Sequence, residues 1–382
     1  MKIIVGYGFT LDRVNPGFQE VGLAYILGLM RLGHEVYLFE DVTPGQCVRS
    51  RSEPVPFPDW EGTRHFESLT RTWGIWPRCC LVYDGGRATC GMPFQEALRT
   101  ARTADALLNV GGRLKTEALL DPIPVRAYLD MVPAKAQAYE AESGIDRGFS
   151  RHHHLFTIGL NIGLPGCDVP TCGRQWLHYF PPVVLSRWPA LEGPSHGRFT
   201  TISGWAGKHT FKLRGGYSGD KADQWNRFIT LPRQTSQELE IAINFGKLFD
   251  TESKRFAEHG WHVTDPRQMG DVASYRHYVA ASRAEFSVAN NRYVQFRTGW
   301  LSDRSARYLA SGRPVLVQST GFEAHIRTGK GLLSFTSLEE AAEGIEAIAR
   351  DYPAHCREAR ALAEEYFDSD RVLPLMLGQM GL

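Results

Sequence analysis

Residues 298–317 read TGWLSDRSARYLASGRPVLV. Ser302 or Asp303 can accept a hydrogen bond from the backbone of the next turn, so a helix starts there, and Gly312 ends it. Pro314 then opens a short apolar run, Val315–Val317, of the kind buried inside a parallel sheet. Gly299, just ahead of the helix, lets a ligand come close to the backbone. The free N–H groups of the helix start, with its partial positive charge, suit a pyrophosphate. Arg304 sits in the first turn, an unfavourable place for a cation unless an anion lies opposite it. Its guanidinium could grip such an anion through two hydrogen bonds.

The same strand–helix alternation extends on both sides. The chain opens with the apolar run Ile3-Ile4-Val5, a loop from Gly6 to Gly17 and a helical pattern through Val21, Ala24, Leu27 and Met30. Gly33-His34 stops that helix, and Glu35–Phe39 alternates as a second strand, a right-handed βαβ unit. Ala106–Val110 and Val125–Leu129 are later strands, and residues 43–64 read as a long Pro- and Arg-rich loop. A break follows at Phe180–Val184 and Pro194–Gly197, and Phe199–Gly204 begins a fresh series. Its strands are expected within Ser236–Phe245 and at Trp261–Val263, Ala284–Val288 and Pro314–Gln318. Its helices are expected at Thr251–His259, Val272–Ser282, Ser302–Ser311, Leu338–Asp351 and Ala354–Phe367. A single core stops growing at roughly 250–300 residues, and this chain has 382. The expected fold is α/β: two Rossmann-like, doubly wound domains with ligands between them at the carboxyl ends of strands. The boundaries are 1–182, a linker 183–198, 199–353, and a last segment 354–382 whose helix crosses back to the first domain.

Composition excludes several functions. Lys+Arg is 43 against Asp+Glu 42, a net charge of +1 shared evenly between the halves, so no nucleic-acid polymer is expected as partner. No run approaches the ~18 apolar residues of a membrane span, and the three-residue run near the start is too short for a secretory leader, so no membrane insertion is expected. Seven scattered cysteines fit reduced thiols in the cytoplasm. No metal is expected. Neighbouring histidines in His152-His153-His154 point apart, and Asp368-Ser369-Asp370 lies far from the helix start at Ser302.

Two carboxylates suit a general base. Asp130 closes the strand Val125–Leu129, and Asp12 lies in the loop after the first strand. Arg126, Arg151 and His153, with Arg113, Lys115, His152 and His154, are candidates for a basic rim that binds a polar or phosphorylated acceptor.

The run ARYLASGRPVL (residues 306–316) resembles the donor-binding half of GT-B glycosyltransferases. MKIIVGYGF, LGHEVYLFE, GWHVTDP and AEFSVAN are similar to other parts of that fold, so the likeness spans nearly the whole chain. It implies transfer of a sugar from a nucleotide-diphosphate sugar, with no tightly bound cofactor, to a small acceptor that is nucleoside-like or phosphorylated. A homodimer is the one protein partner allowed for. The diphosphate would rest on Gly299, Ser302, Asp303 and Arg304. Lys208, with Lys221 behind it, would add a phosphate contact after the first strand of the second domain, and the backbone of His262 and Val263 would hold the base. Many retaining members carry two Glu eight positions apart, ahead of the Gly-x-Pro-Val. Here those positions are Gly299 and Arg307, so the ribose-binding and donor-activating roles do not transfer and inversion is favoured. Epimerisation of a nucleotide sugar and binding without catalysis are the alternatives.

Overall fold

The apolar runs become the middle strands of two parallel sheets. The structure, a computed structural model, describes residues 1–49, 53–190, 197–205, 212–213, 216–217 and 219–382. Two compact units divide the chain. The first holds Met1–Val132, Ile145–Thr157 and Leu373–Leu382, and the second holds Pro133–Gly144 and Ile158–Val372.

The strands of the first unit are β1 (Lys2–Gly6), β2 (Glu35–Val42), β3 (Cys79–Tyr83), β4 (Ala88–Gly91), β5 (Ala106–Val110), β6 (Val125–Asp130) and β7 (His154–Thr157). They lie in the order β4-β3-β2-β1-β5-β6-β7. All neighbours are parallel except the β3–β4 hairpin. Ile3, Ile4 and Val5 are wholly buried, as expected of a strand covered on both faces. Sheet order reverses between β1 and β5, and the carboxyl ends of these two strands are therefore where an open α/β sheet takes a ligand. Strands β3 and β4 have no counterpart in the sequence reading. The loop read over 43–64 is also shorter than expected. Glu61 begins a helix, Glu61–Thr72, which buries Phe66 and Leu69.

The second unit contains the short strand β8 (Leu177–His178) and then β9 (Phe199–Gly204), a ribbon of β10 (Lys212–Leu213) and β11 (Gly216–Tyr217), β12 (Leu239–Asn244), β13 (His262–Val263), β14 (Ala284–Ser287), β15 (Val315–Gln318) and β16 (Leu332–Phe335). Six of these form a wholly parallel sheet, β13-β12-β9-β14-β15-β16. Its order reverses between β9 and β14. Phe286 of β14 lies at the centre of an aromatic core, stacked on Phe335 with ring centres 5.1 Å apart and edge-on to Trp225 at 6.0 Å.

Part of the stretch read as a linker is packed. Val183 and Trp188 are buried with Leu309, Leu362 and Phe367 in one core of this unit. The helix read at Ala354–Phe367 spans Tyr352–Tyr366 and packs on Asp303–Ala310 in the second unit; the residues grouped with the first unit are Leu373–Leu382. Among the described residues no helix is long and apolar enough to cross a membrane. None of the seven cysteines forms a disulfide.

Phe286→Ala should cost about 3–5 kcal/mol through the cavity it leaves. Thermal melting checks this, and a variant as stable as the parent would contradict the aromatic core.

Candidate functional site

The helix Asp303–Ala310 starts where the sequence places it. Ser302 is its N-cap, its hydroxyl accepting a hydrogen bond from the Arg304 N–H at 3.2 Å. The Arg304 side chain turns inward. Its Nε donates to the Glu285 carboxylate at 2.5 Å, Nη1 to the Ile202 carbonyl at 2.6 Å and Nη2 to the Ser287 hydroxyl at 2.5 Å. Glu285 is completely buried on β14, and an ionised carboxylate there needs a cation. The guanidinium expected to grip a diphosphate is thus committed to the ends of β9 and β14. It holds the helix start against the place where the sheet order reverses. Asp303 is also engaged, pairing with Arg307 at 2.8 Å.

Lys221, the weaker sequence candidate, is the cation this arrangement leaves over. It is the first residue of the helix Lys221–Phe228, and the Asp220 side chain accepts its backbone N–H at 2.8 Å. The ammonium is half-buried, with no hydrogen-bond partner among the described residues. Burial, and then repulsion from Arg304, push it down to about 7 against a weaker pull from Glu285. Glu285 is paired with Arg304, its other oxygen, Oε2, has no partner, and Lys221 forms no ion pair among the described residues. Lys208, the stronger sequence candidate, lies outside the described residues.

The two positions where the retaining pattern would place Glu are closed to that chemistry. Gly299 has φ +71°, and a Cβ there would lie 2.8 Å from the Asn161 nitrogen, so a side chain is excluded. Arg307 is buried against Asp303 and the Tyr275 hydroxyl. His262 and Val263 form the edge strand β13, paired on one side with Glu240 and Ile241 of β12.

In the first unit, Asp12 lies in the loop after β1, partly exposed, accepting a hydrogen bond from the Asn15 side chain at 2.9 Å. Asp130 ends β6 and is buried, bound by the Thr157 hydroxyl at 2.9 Å and the Val132 N–H at 3.1 Å. Arg126, Arg151 and His153 do come together, but at the amino ends of β6 and β7. Arg126 donates to the carbonyls of Arg151 and Ile123 at 2.7 and 2.6 Å, and its N–H donates to His153 at 3.1 Å. Arg151 is neutralised by Glu117 and Asp121. Four residues of strand, roughly 13 Å at about 3.3 Å each, separate the Arg126 backbone from the Asp130 end. The expected rim is therefore a structural staple at the wrong end of the sheet for a ligand. His152 turns inward to Asn109, and burial pushes it down to about 4.

Sequence reasoning missed Glu40. It lies on β2, completely buried, with Oε1 accepting both the N–H and the hydroxyl of Thr10, and Oε2 without a partner. Burial pushes its carboxyl up to about 8, against the hydrogen bonds from Thr10 and Phe9 and the nearby Arg113. The signal was present: Glu40 shares the even-numbered face of β2 with buried Val36, Leu38 and Val42.

No protein-family model and no curated protein sequence matches the chain. Solved structures match it end to end in fold, and that fold is the GT-B arrangement of two α/β units. The T4 alpha-glucosyltransferase in complex with UDP superposes with a TM-score of 0.61 at 12% identity, covering 100% of both chains. HepE of Anabaena in complex with UDP-glucose gives 0.59 at 12%, covering 100% of this chain and 99% of that one. AviGT4, a glycosyltransferase involved in avilamycin A biosynthesis, gives 0.51 at 14%, covering 100% and 97%.

Arg304→Ala should cost about 3–5 kcal/mol by leaving Glu285 buried and unpaired, and Glu285→Leu in the same chain should recover part of the loss. Melting curves of both variants decide it. A raised carboxyl pKa in the native state stabilises below the unfolded value of 4.5, and that contribution is lost as pH rises through about 8. The parent should therefore lose more melting temperature than Glu40→Gln across that range. Parallel curves would contradict the assignment.

Proposed function

We propose that the protein transfers a sugar from a nucleoside-diphosphate sugar, with UDP as the leaving group, to a small polar acceptor. The observation that carries this reading is the unpartnered Lys221 ammonium beside the buried Arg304–Glu285 pair, at the reversal of the second sheet. A phosphate oxygen gives Lys221 an ion-pair partner there. The N–H groups ahead of Asp303–Ala310 complete a cradle for charge that grows on the leaving diphosphate. Gly299 is not part of it, because its N–H donates to the Thr320 carbonyl at 2.8 Å and its open face packs on Asn161. UDP as the nucleotide rests on the UDP and UDP-glucose complexes of the structures with the same fold. The backbone of His262 and Val263 remains the proposed seat of the base.

In the first unit, Asp12 is the proposed general base and Asp130 a positioning residue. Asp12 keeps a partly exposed carboxylate in the loop after β1, whereas Asp130 is bound by Thr157 and Val132. Asp12 takes the proton of the acceptor hydroxyl, the hydroxyl oxygen bonds to the anomeric carbon, and the carbon–oxygen bond to the diphosphate breaks. With Gly299 and Arg307 where retaining enzymes hold acids, inversion is the proposed outcome. The acceptor is a polar molecule at the carboxyl ends of β1 and β5, where Arg113 is exposed. The alpha-glucosyltransferase has also been solved with UDP and a 13-mer DNA. A net charge of +1 without a basic half gives no reason to transfer that acceptor to this chain.

Calorimetry with UDP tests the donor site. An ammonium with a pKa of about 7 must be reprotonated to meet phosphate, so binding above neutrality should take up about one proton, and affinity should fall as pH rises. Lys221→Ala should abolish the uptake and weaken UDP roughly tenfold to a hundredfold. Binding with no proton uptake would refute the role of Lys221. Asp12→Asn should lower kcat about a hundredfold or more with UDP affinity unchanged. Sugar epimerised without any acceptor would instead favour the epimerase reading.

A further inference from the structure

Position 297 is an arginine where the backbone asks for glycine. It follows the short helix Asn291–Gln295 and takes the left-handed conformation, φ +47°, that ends helices. Glycine adopts that conformation freely, and arginine does so with strain. The conformation is pinned from outside the helix. Asn161 donates through Nδ2 to the carbonyls of Arg297 at 2.9 Å and Gly321 at 3.2 Å, and its backbone N–H donates to Thr298 at 3.0 Å. Its Oδ1 accepts from His325 Nε2 at 2.7 Å, so both ends of one amide are used. Gly299 and Gly321 leave room for this clamp: a Cβ on either would lie within 2.8 Å of an Asn161 nitrogen. The Arg297 side chain itself is exposed, and its guanidinium has no hydrogen-bond or ion-pair partner among the described residues.

A charge argument gives this arginine a task. The diphosphate of a nucleotide sugar carries about two negative charges. Lys221 answers one at most, and Arg304 is committed to Glu285, Ile202 and Ser287. Arg297 lies two residues before Gly299 in the same loop and beside Gly321, its Cβ 3.9 Å from where a Gly321 Cβ would stand. We propose that Arg297 contacts the donor, its guanidinium taking an anionic oxygen group of the nucleotide sugar, and that Asn161 is the residue that positions it. The anion is either the diphosphate or a carboxylate on the transferred sugar. This inference rests on the donor reading above.

Arg297→Gly is the informative variant, because it removes the side chain and relieves the backbone at once. Its melting temperature should hold or rise while donor affinity falls, a combination that a merely structural residue would not produce. Calorimetry with UDP, UDP-glucose and UDP-glucuronate identifies the anion. Roughly tenfold to a hundredfold weaker binding of all three assigns Arg297 to the diphosphate. Loss confined to UDP-glucuronate assigns it to a sugar carboxylate. Asn161→Ala should weaken the same ligands, and should do so much less in the Arg297→Gly background. If the parent binds UDP and Arg297→Gly binds all three ligands equally well, this inference fails alone. If the parent binds no nucleoside diphosphate, the donor reading fails and takes this inference with it.

Discussion

One buried carboxylate organises the second unit. Glu285 lies on a central strand of a parallel sheet, wholly removed from water, and such a group is tolerated only with a cation held against it. Arg304 supplies that cation from the first turn of a helix nineteen residues further on. The pair fixes the helix start at the ends of β9 and β14. It also uses up the cation that the sequence offers for a ligand. Lys221, repelled by Arg304, is left without an ion-pair partner among the described residues, and the proposed phosphate would supply one.

How much of this could be read from the sequence depends on the range of the interaction. Helix Asp303–Ala310 was legible because its cap, its stop and its buried face are local: Ser302, Gly312, and the apolar residues between them. The strands Ile3–Val5, Ala106–Val110 and Val315–Val317 were legible for the same reason. The direction of Arg304 was not, because Glu285 and Ile202 reach it only through the sheet. Strand β3 could have been read from its run Cys79-Cys80-Leu81-Val82-Tyr83, ended by Asp84-Gly85-Gly86. Cys79 and Cys80 serve that strand as small, wholly buried side chains. Arg126, Arg151 and His153 were grouped correctly in space but given a task that belongs to the other end of their strands. Basic residues near a strand do not say which end they serve; the register of β6 against β7 does.

The first unit shows the same contrast between a saturated and an unsaturated acid. Asp130 at the end of β6 and Asp41 near the end of β2 are both well bonded, Asp130 to Thr157 and Val132, Asp41 to Lys115 and Thr116. Glu40 keeps one oxygen unused and holds Thr10, and with it the loop that carries Asp12. Burial raises the Glu40 carboxyl beneath that loop to about 8.

A crystal structure of the protein with UDP bound tests the central claim most directly. The account predicts a phosphate oxygen within hydrogen-bond distance of Lys221 Nζ, with the Arg304 guanidinium still on Glu285, Ile202 and Ser287. Diphosphate bound to Arg304, with Glu285 released from it and Lys221 left without a phosphate contact, would contradict it.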